Sequence, residues 1–240
     1  MDFQKIVQDS YQKIARHFSA SRQQTWSDLD VFLSYVKDGD ELLDLGCGNG
    51  RLVELFKDRD VKYLGVDSSS ELVALAQREY PLKKFAVMDA LALTLPTASF
   101  DVVMSVAVLN HLDTRERQAK FLEQTCRVLK PGGYLLLSNW NLWKADNPKN
   151  LVSFEVEKER LNDLDFEKKY HCAKDSLSPH DVLTTWGESQ EVLYYYAFTR
   201  EELEILVMET GFHLEKNYYS DQGQPTSQDL GSNIITVVRK

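Results

Sequence analysis

The run Asp44-Leu45-Gly46-Cys47-Gly48-Asn49-Gly50 decides the fold of this 240-residue chain. It continues the apolar run Glu41–Leu45 and leads into apolar residues at helical spacing. Glycines permit a tight turn and let a ligand approach the backbone closely. The spacing is GxGxG, whereas the dinucleotide fingerprint is GxGxxG. The run therefore predicts a strand, a glycine loop and a helix, and the loop alone does not specify the ligand.

Strands and helices alternate around this loop. The predicted strands are Glu41–Leu45, Tyr63–Val66, Phe85–Met88, Phe100–Ala107 and Tyr134–Leu137. The helices predicted between them cover about 52–56, 70–80 and 115–129. Continuous apolar strands that alternate with helices indicate a parallel sheet with helices on both faces. An α/β fold follows.

Two aspartates come directly after the second and third strands. Asp67 follows Val66, 17 residues after Gly50, and Asp89 follows Met88. The carboxyl ends of parallel strands form the crevice in which open α/β sheets bind ligands. Either aspartate alone could be a helix N-cap. Their order behind a glycine loop favours a ligand site.

The flanks are predicted to differ from this core. Residues 3–18 form an amphipathic helix, a second helix covers about 25–36, and both belong to an N-terminal helical lid at 1–38. After a core at 40–140, the polar and aromatic residues 141–195 predict a surface insertion or lid. Residues 196–240 predict a helix and two strands, Phe212–Tyr219 and Asn233–Arg239, joined by a long loop at 221–231. All four segments are expected to form one domain.

Charge and composition restrict the partners. The net charge of −9 counts against a broad nucleic-acid surface, because phosphate contacts require basic residues. The three cysteines, Cys47, Cys126 and Cys172, are odd in number and widely spaced, which favours a reducing compartment and no metal site. No membrane span or secretory signal is expected. We therefore expect a cytoplasmic protein.

Residues 40–140 resemble the class I S-adenosylmethionine-dependent methyltransferases. The resemblance rests on Leu42–Gly50, Gly65-Val66-Asp67, Phe100-Asp101-Val102-Val103 and Leu129-Lys130-Pro131-Gly132-Gly133. It implies a Rossmann-like fold, with a seven-stranded, mostly parallel sheet that ends in an antiparallel C-terminal hairpin. The implied cofactor is S-adenosyl-L-methionine.

The same resemblance implies a role for each part of the cofactor site. Asp44 and the glycine loop would contact the methionine moiety, Asp67 the ribose, and Asp89 with Ala90 the adenine. The wall beside the sulfonium would lie near Val106. The implied cofactor-binding residues are Asp44, Gly46, Cys47, Gly48, Asn49, Gly50, Asp67, Ser68, Asp89, Ala90 and Val106. Cys47 is expected to pack in the loop, since methyl transfer needs no thiolate.

Three other segments are similar to the tRNA wobble-uridine carboxymethyl methyltransferases, which include the methyltransferase domain of the AlkB-homologue tRNA hydroxylases. They are Tyr11–Arg22 followed by Trp26, Ser105–Arg117, and Asp181–Trp186 ahead of 194–198. The resemblance implies a tRNA substrate, with methyl transfer to the carboxymethyl group of a wobble uridine. Eukaryotic members work with a small zinc-binding activator subunit. Neither DNA nor a membrane is an expected partner.

A carboxylate acceptor is already ionised at neutral pH, so it needs cations and hydrogen-bond donors rather than a general base. Arg22, His17 and His111 suit that role, and a splayed-out base could stack on Trp26 or Trp140. The acceptor-site candidates are His111, Arg22, His17, Tyr11 and Trp140.

Each candidate also has a structural alternative. Tyr11 and Trp26 could be core residues, His17 could cap a helix, and Arg22 could be a solvated charge. Two other functions stay open: methylation of a small acidic metabolite or natural-product precursor, which the acidic net charge favours, and cofactor binding without turnover.

Overall fold

The computed structural model describes residues 2–22, 25–144, 146, 150–187 and 189–240. The strands in this part of the chain are β1 Glu41–Leu45, β2 Lys62–Asp67, β3 Lys84–Val87, β4 Phe100–Val106, β5 Leu129–Trp140, β6 Asp181–Thr185, β7 Val192–Tyr196, β8 His213–Asp221, β9 Gln224–Thr226 and β10 Asn233–Arg239. The α-helices are α1 Phe3–Ser21, α2 Ser70–Glu79, α3 Arg115–Val128, α4 Leu151–Arg160, α5 Asp163–Tyr170 and α6 Arg200–Glu209. Short 3-10 helices cover Ser27–Tyr35, Arg51–Phe56, Leu109–His111 and Lys174–Ser176.

The central sheet has the strand order β3-β2-β1-β4-β5-β10-β8-β9. The pairs β2–β3, β1–β2, β1–β4 and β4–β5 are parallel. Strand β10 lies antiparallel between β5 and β8. This confirms the predicted α/β fold, with a mostly parallel sheet and an antiparallel C-terminal hairpin.

The strand count differs from the predicted seven. Residues 221–231, expected to be a loop, contain β9, which pairs with the end of β8 from Tyr219 to Asp221. Gln222 and Gly223 both have positive φ, 48° and 83°. Two consecutive residues with positive φ are typical of the tight turn of a two-residue β-hairpin. A short eighth strand is the result.

Apolar side chains cover both faces of the sheet. Leu42 belongs to one buried cluster and its neighbour Leu43 to the other, as the alternation of side chains along a strand requires. Helices α3 and α6 contribute Phe121 and Leu206 to the Leu43 cluster. The segment Ser27–Tyr35 contributes Phe32 to the Leu42 cluster, as a 3-10 helix where an amphipathic helix was predicted.

A third buried cluster joins the N-terminal helix to the predicted insertion. The rings of Phe3 in α1 and Tyr194 in β7 stack with their centroids 4.7 Å apart. Val7 and Ile14 of α1 belong to the same cluster as Phe154 in α4. The described part of 141–195 therefore packs on α1, while residues 145, 147–149 and 188 of this segment lie outside the described residues. The predicted boundary between lid and insertion stays a prediction.

No helix in the described ranges has the length and apolar composition needed to cross a membrane.

Candidate active site

A pocket opens at the carboxyl ends of β1, β2 and β4, beneath helix α1. Its lining includes the predicted cofactor residues Gly46, Cys47, Gly48, Asn49, Asp67, Ser68, Asp89, Ala90 and Val106, and the acceptor candidates Tyr11, Arg22, His111 and Trp140. The tertiary structure thus brings the predicted cofactor residues and most of the acceptor candidates together in one pocket.

The backbone of the glycine loop leaves no space for a side chain at Gly46. Gly46 has φ +83°, and a Cβ built there would lie 2.2 Å from Cγ2 of Val108. The backbone N–H groups of Gly46 and Cys47 both donate to the carbonyl oxygen of Val66, at 2.7 and 2.9 Å. These bonds hold the loop against the end of β2 and leave room above it for a ligand.

Asp44 lies below this loop and is fully buried. The hydroxyl of Tyr63 donates to its Oδ2 at 2.5 Å, while its Oδ1 has no hydrogen-bond partner among the described residues. Burial raises the pKa of Asp44 from 3.8 to about 7. A buried carboxylate oxygen without a donor fits a site whose ligand brings its own donor, such as the ammonium group of a methionine moiety.

Two backbone N–H groups, one from the glycine loop and one from the turn after β2, hold the carboxylate of Asp67. Its Oδ2 accepts from the N–H of Gly48 at 2.9 Å, and its Oδ1 accepts from the N–H of Ser69 at 2.8 Å. Burial raises the pKa of Asp67 above its usual value, and these backbone bonds oppose that rise. Each oxygen retains a lone pair, so the carboxylate can still accept two hydroxyls of a ribose.

Asp89 lies two residues beyond the end of β3 and lines the same pocket. Its Oδ1 accepts from the N–H of Leu91 at 2.9 Å, which closes a local turn. Met88, Ala90 and Leu91 provide apolar lining beside it. An acidic group at an apolar wall is suited to a flat ring with an exocyclic amine.

Asn49 connects the glycine loop to helix α1. Its Nδ2 donates to Oγ of Ser19 and to the backbone carbonyl of Arg22, both at 3.1 Å. The amide group of Asn49 is therefore committed to the end of α1, although the residue also lines the pocket. The remaining two predicted cofactor residues, Asp44 and Gly50, are not among the residues that line the pocket.

Tyr11 and His111 meet across 100 residues of sequence. The hydroxyl of Tyr11 lies 3.0 Å from Nε2 of His111, and Nδ1 of His111 lies 2.7 Å from the carbonyl oxygen of Tyr194. A carbonyl oxygen can only accept, so Nδ1 of His111 carries a proton in this contact. Burial raises the pKa of Tyr11 to about 12. The Tyr11 hydroxyl therefore keeps its proton at neutral pH and is able to donate it to His111.

Arg22 and three tryptophans form another part of the lining. The Arg22 guanidinium carbon lies 5.3 Å from the ring centroid of Trp186. The rings of Trp26 and Trp140 meet edge to face, with centroids 5.6 Å apart. Trp26 also packs at the edge of the core, so its structural and ligand-facing roles coincide.

His17 is the acceptor candidate that the structure does not bring to the lining. It is exposed, and its ring centroid lies 6.4 Å from that of Trp186, which does line the pocket.

Sequence reasoning missed Arg51, Trp186 and Gln8, which also line the pocket. Arg51 directly follows the glycine loop, and that position was a usable signal. Trp186 ends the segment Asp181–Trp186 that carries the family resemblance, which was also a usable signal. Gln8 gave none, because its approach to the pocket depends on how α1 packs.

Comparison with known proteins agrees with this geometry. Residues 43–137 match the family model described as a methyltransferase domain. Residues 43–137 therefore carry a methyltransferase domain. The match begins within β1, ends within β5 and includes the whole glycine loop.

Two curated relatives share more of the chain. The tRNA (carboxymethyluridine(34)-5-O)-methyltransferase ALKBH8 of Mus musculus is 36% identical over 166 residues, which cover 66% of this chain and 24% of the relative. The tRNA (carboxymethyluridine(34)-5-O)-methyltransferase of Schizosaccharomyces pombe is 28% identical over 224 residues, 90% of this chain and 92% of the relative. The chain therefore spans about a quarter of the length of the mouse protein.

Solved structures share the fold. A SAM-dependent methyltransferase of Methanosarcina mazei has a TM-score of 0.65 at 22% identity, covering 88% of this chain and 96% of the other. A putative methyltransferase of Haloferax volcanii, solved in complex with the Trm112 methyltransferase activator, has a TM-score of 0.67 at 18% identity, covering 97% and 96%.

Proposed function

We propose that this protein transfers the methyl group of S-adenosylmethionine to the carboxymethyl carboxylate of a wobble uridine in tRNA. The observation that carries the proposal is the pocket lining: it combines the cofactor loop with Arg22, the Tyr11–His111 pair and the aromatic rings of Trp26 and Trp140. The names of the relatives from mouse and fission yeast support the same substrate.

The residues present fit the cofactor. Asp44, with its unpartnered Oδ1, is assigned to the methionine ammonium, and Asp67 to the ribose hydroxyls. Asp89 and Ala90 are assigned to the adenine, and Val106 to the wall beside the sulfonium. When bound, S-adenosylmethionine supplies an electrophilic methyl group on a sulfonium.

The chemistry of the acceptor explains why the pocket needs no general base. A carboxylate oxygen attacks the methyl carbon, a C–O bond forms, the C–S bond breaks, and the products are a methyl ester and S-adenosylhomocysteine. No proton is released. The task of the protein is to orient an anion and to exclude water. Arg22 supplies the positive charge for that orientation, and His111, held by Tyr11 and Tyr194, forms a rigid wall.

Aromatic side chains in the lining favour a nucleobase. RNA loops are read by stacking unstacked bases on aromatic rings. Trp26 and Trp140, at the end of β5, offer such a surface. His17 is assigned to the outer rim, beside Trp186, where the acceptor would enter.

We also propose that the protein acts in the cytoplasm and that a small zinc-binding activator subunit assists it. The Haloferax volcanii methyltransferase of the same fold was solved with a Trm112 activator. A partner of this kind would supply RNA-binding surface that a chain of net charge −9 has in short supply. The residues described in the structure hold no cluster suited to a metal ion, so zinc would belong to the partner.

The net charge also favours the second candidate, methylation of a small acidic metabolite, because such an acceptor needs no basic surface.

The two candidates are distinguished by the fate of labelled methyl. The protein, alone and with an archaeal or eukaryotic Trm112 activator, is incubated with methyl-labelled cofactor and either total tRNA or a small-molecule extract. We expect label in tRNA that mild alkali releases as methanol, because the product is an ester. An Asp67→Asn variant serves as the control for cofactor-dependent transfer. Label that enters only small molecules, or that resists alkali in tRNA, would refute the proposal.

A further inference from the structure

Arg51 brings a positive charge into the pocket without a described partner for it. Its guanidinium carbon lies 4.3 Å from the ring centroid of Trp26. Its Nη1 is buried and has no hydrogen-bond partner among the residues that the structure describes. Among the residues that the structure describes, the arginines that form ion pairs are Arg115, Arg117, Arg160 and Arg200. Arg51 is not one of them.

Arg22 adds a second positive charge to the same lining. Its guanidinium lies over Trp186, and its hydrogen bond from Nη1 to the carbonyl oxygen of Ser21 is long, at 3.4 Å. Burial, followed by the charge of Arg22, lowers the pKa of Arg51 to about 10. An anion that binds between the two guanidinium groups relieves their repulsion.

The geometry also indicates the shape of that anion. The N–H donors of a guanidinium lie in its plane, and a ring stacked on one face leaves the edge available. An edge of two N–H groups matches the two oxygens of a carboxylate. The proposed reaction brings two carboxylates to this pocket, one on the methionine moiety of the cofactor and one on the acceptor.

We propose that Arg51, together with Arg22, forms a carboxylate-binding site in the pocket, and that Arg51 is a specificity residue for the carboxylate it holds. The inference rests on the proposed function where the bound carboxylate is that of the acceptor. It does not rest on the tRNA substrate where the bound carboxylate is that of the cofactor. Trp26 holds the Arg51 guanidinium in place, which links the cofactor loop to the aromatic surface.

The test compares ligands that differ in one carboxylate. In the first arm, calorimetry measures the binding of S-adenosylhomocysteine and of its decarboxylated analogue to the full chain. In the second arm, it measures the binding of 5-carboxymethyluridine and of uridine to the protein loaded with S-adenosylhomocysteine. Each arm uses the native protein, Arg51→Gln, Arg51→Lys and, as a control, Arg59→Gln, which alters an exposed arginine eight residues further on.

We expect Arg51→Gln to lower the affinity for a ligand that has the carboxylate by about 10-fold or more. The affinity for the matched ligand without the carboxylate should fall by less than about twofold. Arg51→Lys should recover part of the loss, and Arg59→Gln should bind as the native protein does. Loss in the first arm assigns the site to the cofactor, and loss in the second assigns it to the acceptor.

The proposal would be overturned if Arg51→Gln lowered the affinities for both ligands of a pair equally, or lowered no affinity in either arm. The role of Arg51 would then be structural. Because the first arm uses no tRNA, a positive result there combined with failed tRNA methylation would refute the proposed function alone. Thermal unfolding of Arg51→Gln and Arg51→Lys establishes that the binding data come from folded protein.

Discussion

At the scale of single residues, Asp44 shows how a binding site is maintained at a cost to stability. Its carboxyl group is fully buried beneath the glycine loop, and only Tyr63 donates to it among the described residues. Burial of a carboxylate without a cation is unfavourable, and the pKa of about 7 reports that cost. The proposed role of the second oxygen, as an acceptor for the methionine ammonium, would offset this cost when the ligand binds.

This pKa predicts a dependence of stability on pH. The ordinary value is 3.8, so between about pH 4 and pH 7 the native state binds a proton that the unfolded chain releases. The free energy of unfolding therefore falls as the pH rises through this window. Asp44→Asn cannot ionise, so it should gain on the order of 2–4 kcal/mol relative to the native protein between pH 4 and pH 8. Urea unfolding at several pH values measures the difference.

A matched control is Asp58→Asn, which alters an exposed aspartate and should leave the two pH profiles parallel. If the profile of Asp44→Asn also runs parallel to that of the native protein, the buried carboxyl group titrates normally and the argument is wrong.

At the scale of elements, hydrogen bonds hold helix α1 over the pocket at the start of α2 and at the glycine loop. Gln12 accepts from Oγ of Ser69 at 2.8 Å and donates to Oγ of Ser70 at 2.6 Å, at the start of α2. Asn49 holds the other end of α1. Because α1 carries Tyr11 into the pocket, its position and the shape of the site are coupled.

Gln12→Ala should therefore weaken the binding of S-adenosylhomocysteine by up to about 30-fold, since it removes two hydrogen bonds that contribute about 1 kcal/mol each. Isothermal titration calorimetry measures the change. The control is Lys13→Ala, which alters another residue of α1 and removes its ion pair with Glu191. The lysine side chain is 61% exposed, so the affinity for S-adenosylhomocysteine should not change. Native-like affinity in Gln12→Ala would show that α1 docks independently of the ligand.

At the scale of the whole molecule, Asp28 joins the two ends of the chain. Its Oδ1 accepts from Oγ of Ser220 at 2.5 Å and from the N–H of Gly223 at 2.9 Å, and its Oδ2 accepts from Nδ2 of Asn233 at 2.9 Å. The residue is 5% exposed. These bonds tie the 3-10 helix Ser27–Tyr35, which begins next to Trp26, to the C-terminal strands.

Asp28→Ala leaves three buried or half-buried donors without an acceptor, so we expect it to lower the free energy of unfolding by about 3 kcal/mol. Urea unfolding at pH 7 measures the loss. Asp30→Ala, an exposed position in the same 3-10 helix, should change stability by less than about 0.5 kcal/mol. Equal effects of the two substitutions would show that the contact between the chain ends is dispensable.

The sheet and the cofactor loop were predictable because their signals are local. The parallel strands are apolar runs that end at turns, and Asp67 and Asp89 follow the second and third strands in sequence. The 3-10 form of Ser27–Tyr35 was missed, since the apolar spacing of a short segment does not separate it from an α-helix. Strand β9 was missed because a three-residue strand carries almost no pattern.

The sequence by itself determined the α/β fold, the presence of a methyltransferase domain and the residues of the glycine loop, since these depend on spacings within a few turns of chain. Only the tertiary structure decided which side chains meet above that loop. It placed Tyr11 against His111, put Arg51 over Trp26 and left His17 outside the pocket lining. The physical reason is that these contacts depend on how α1 and the described insertion residues pack in their shared core, which no local periodicity encodes.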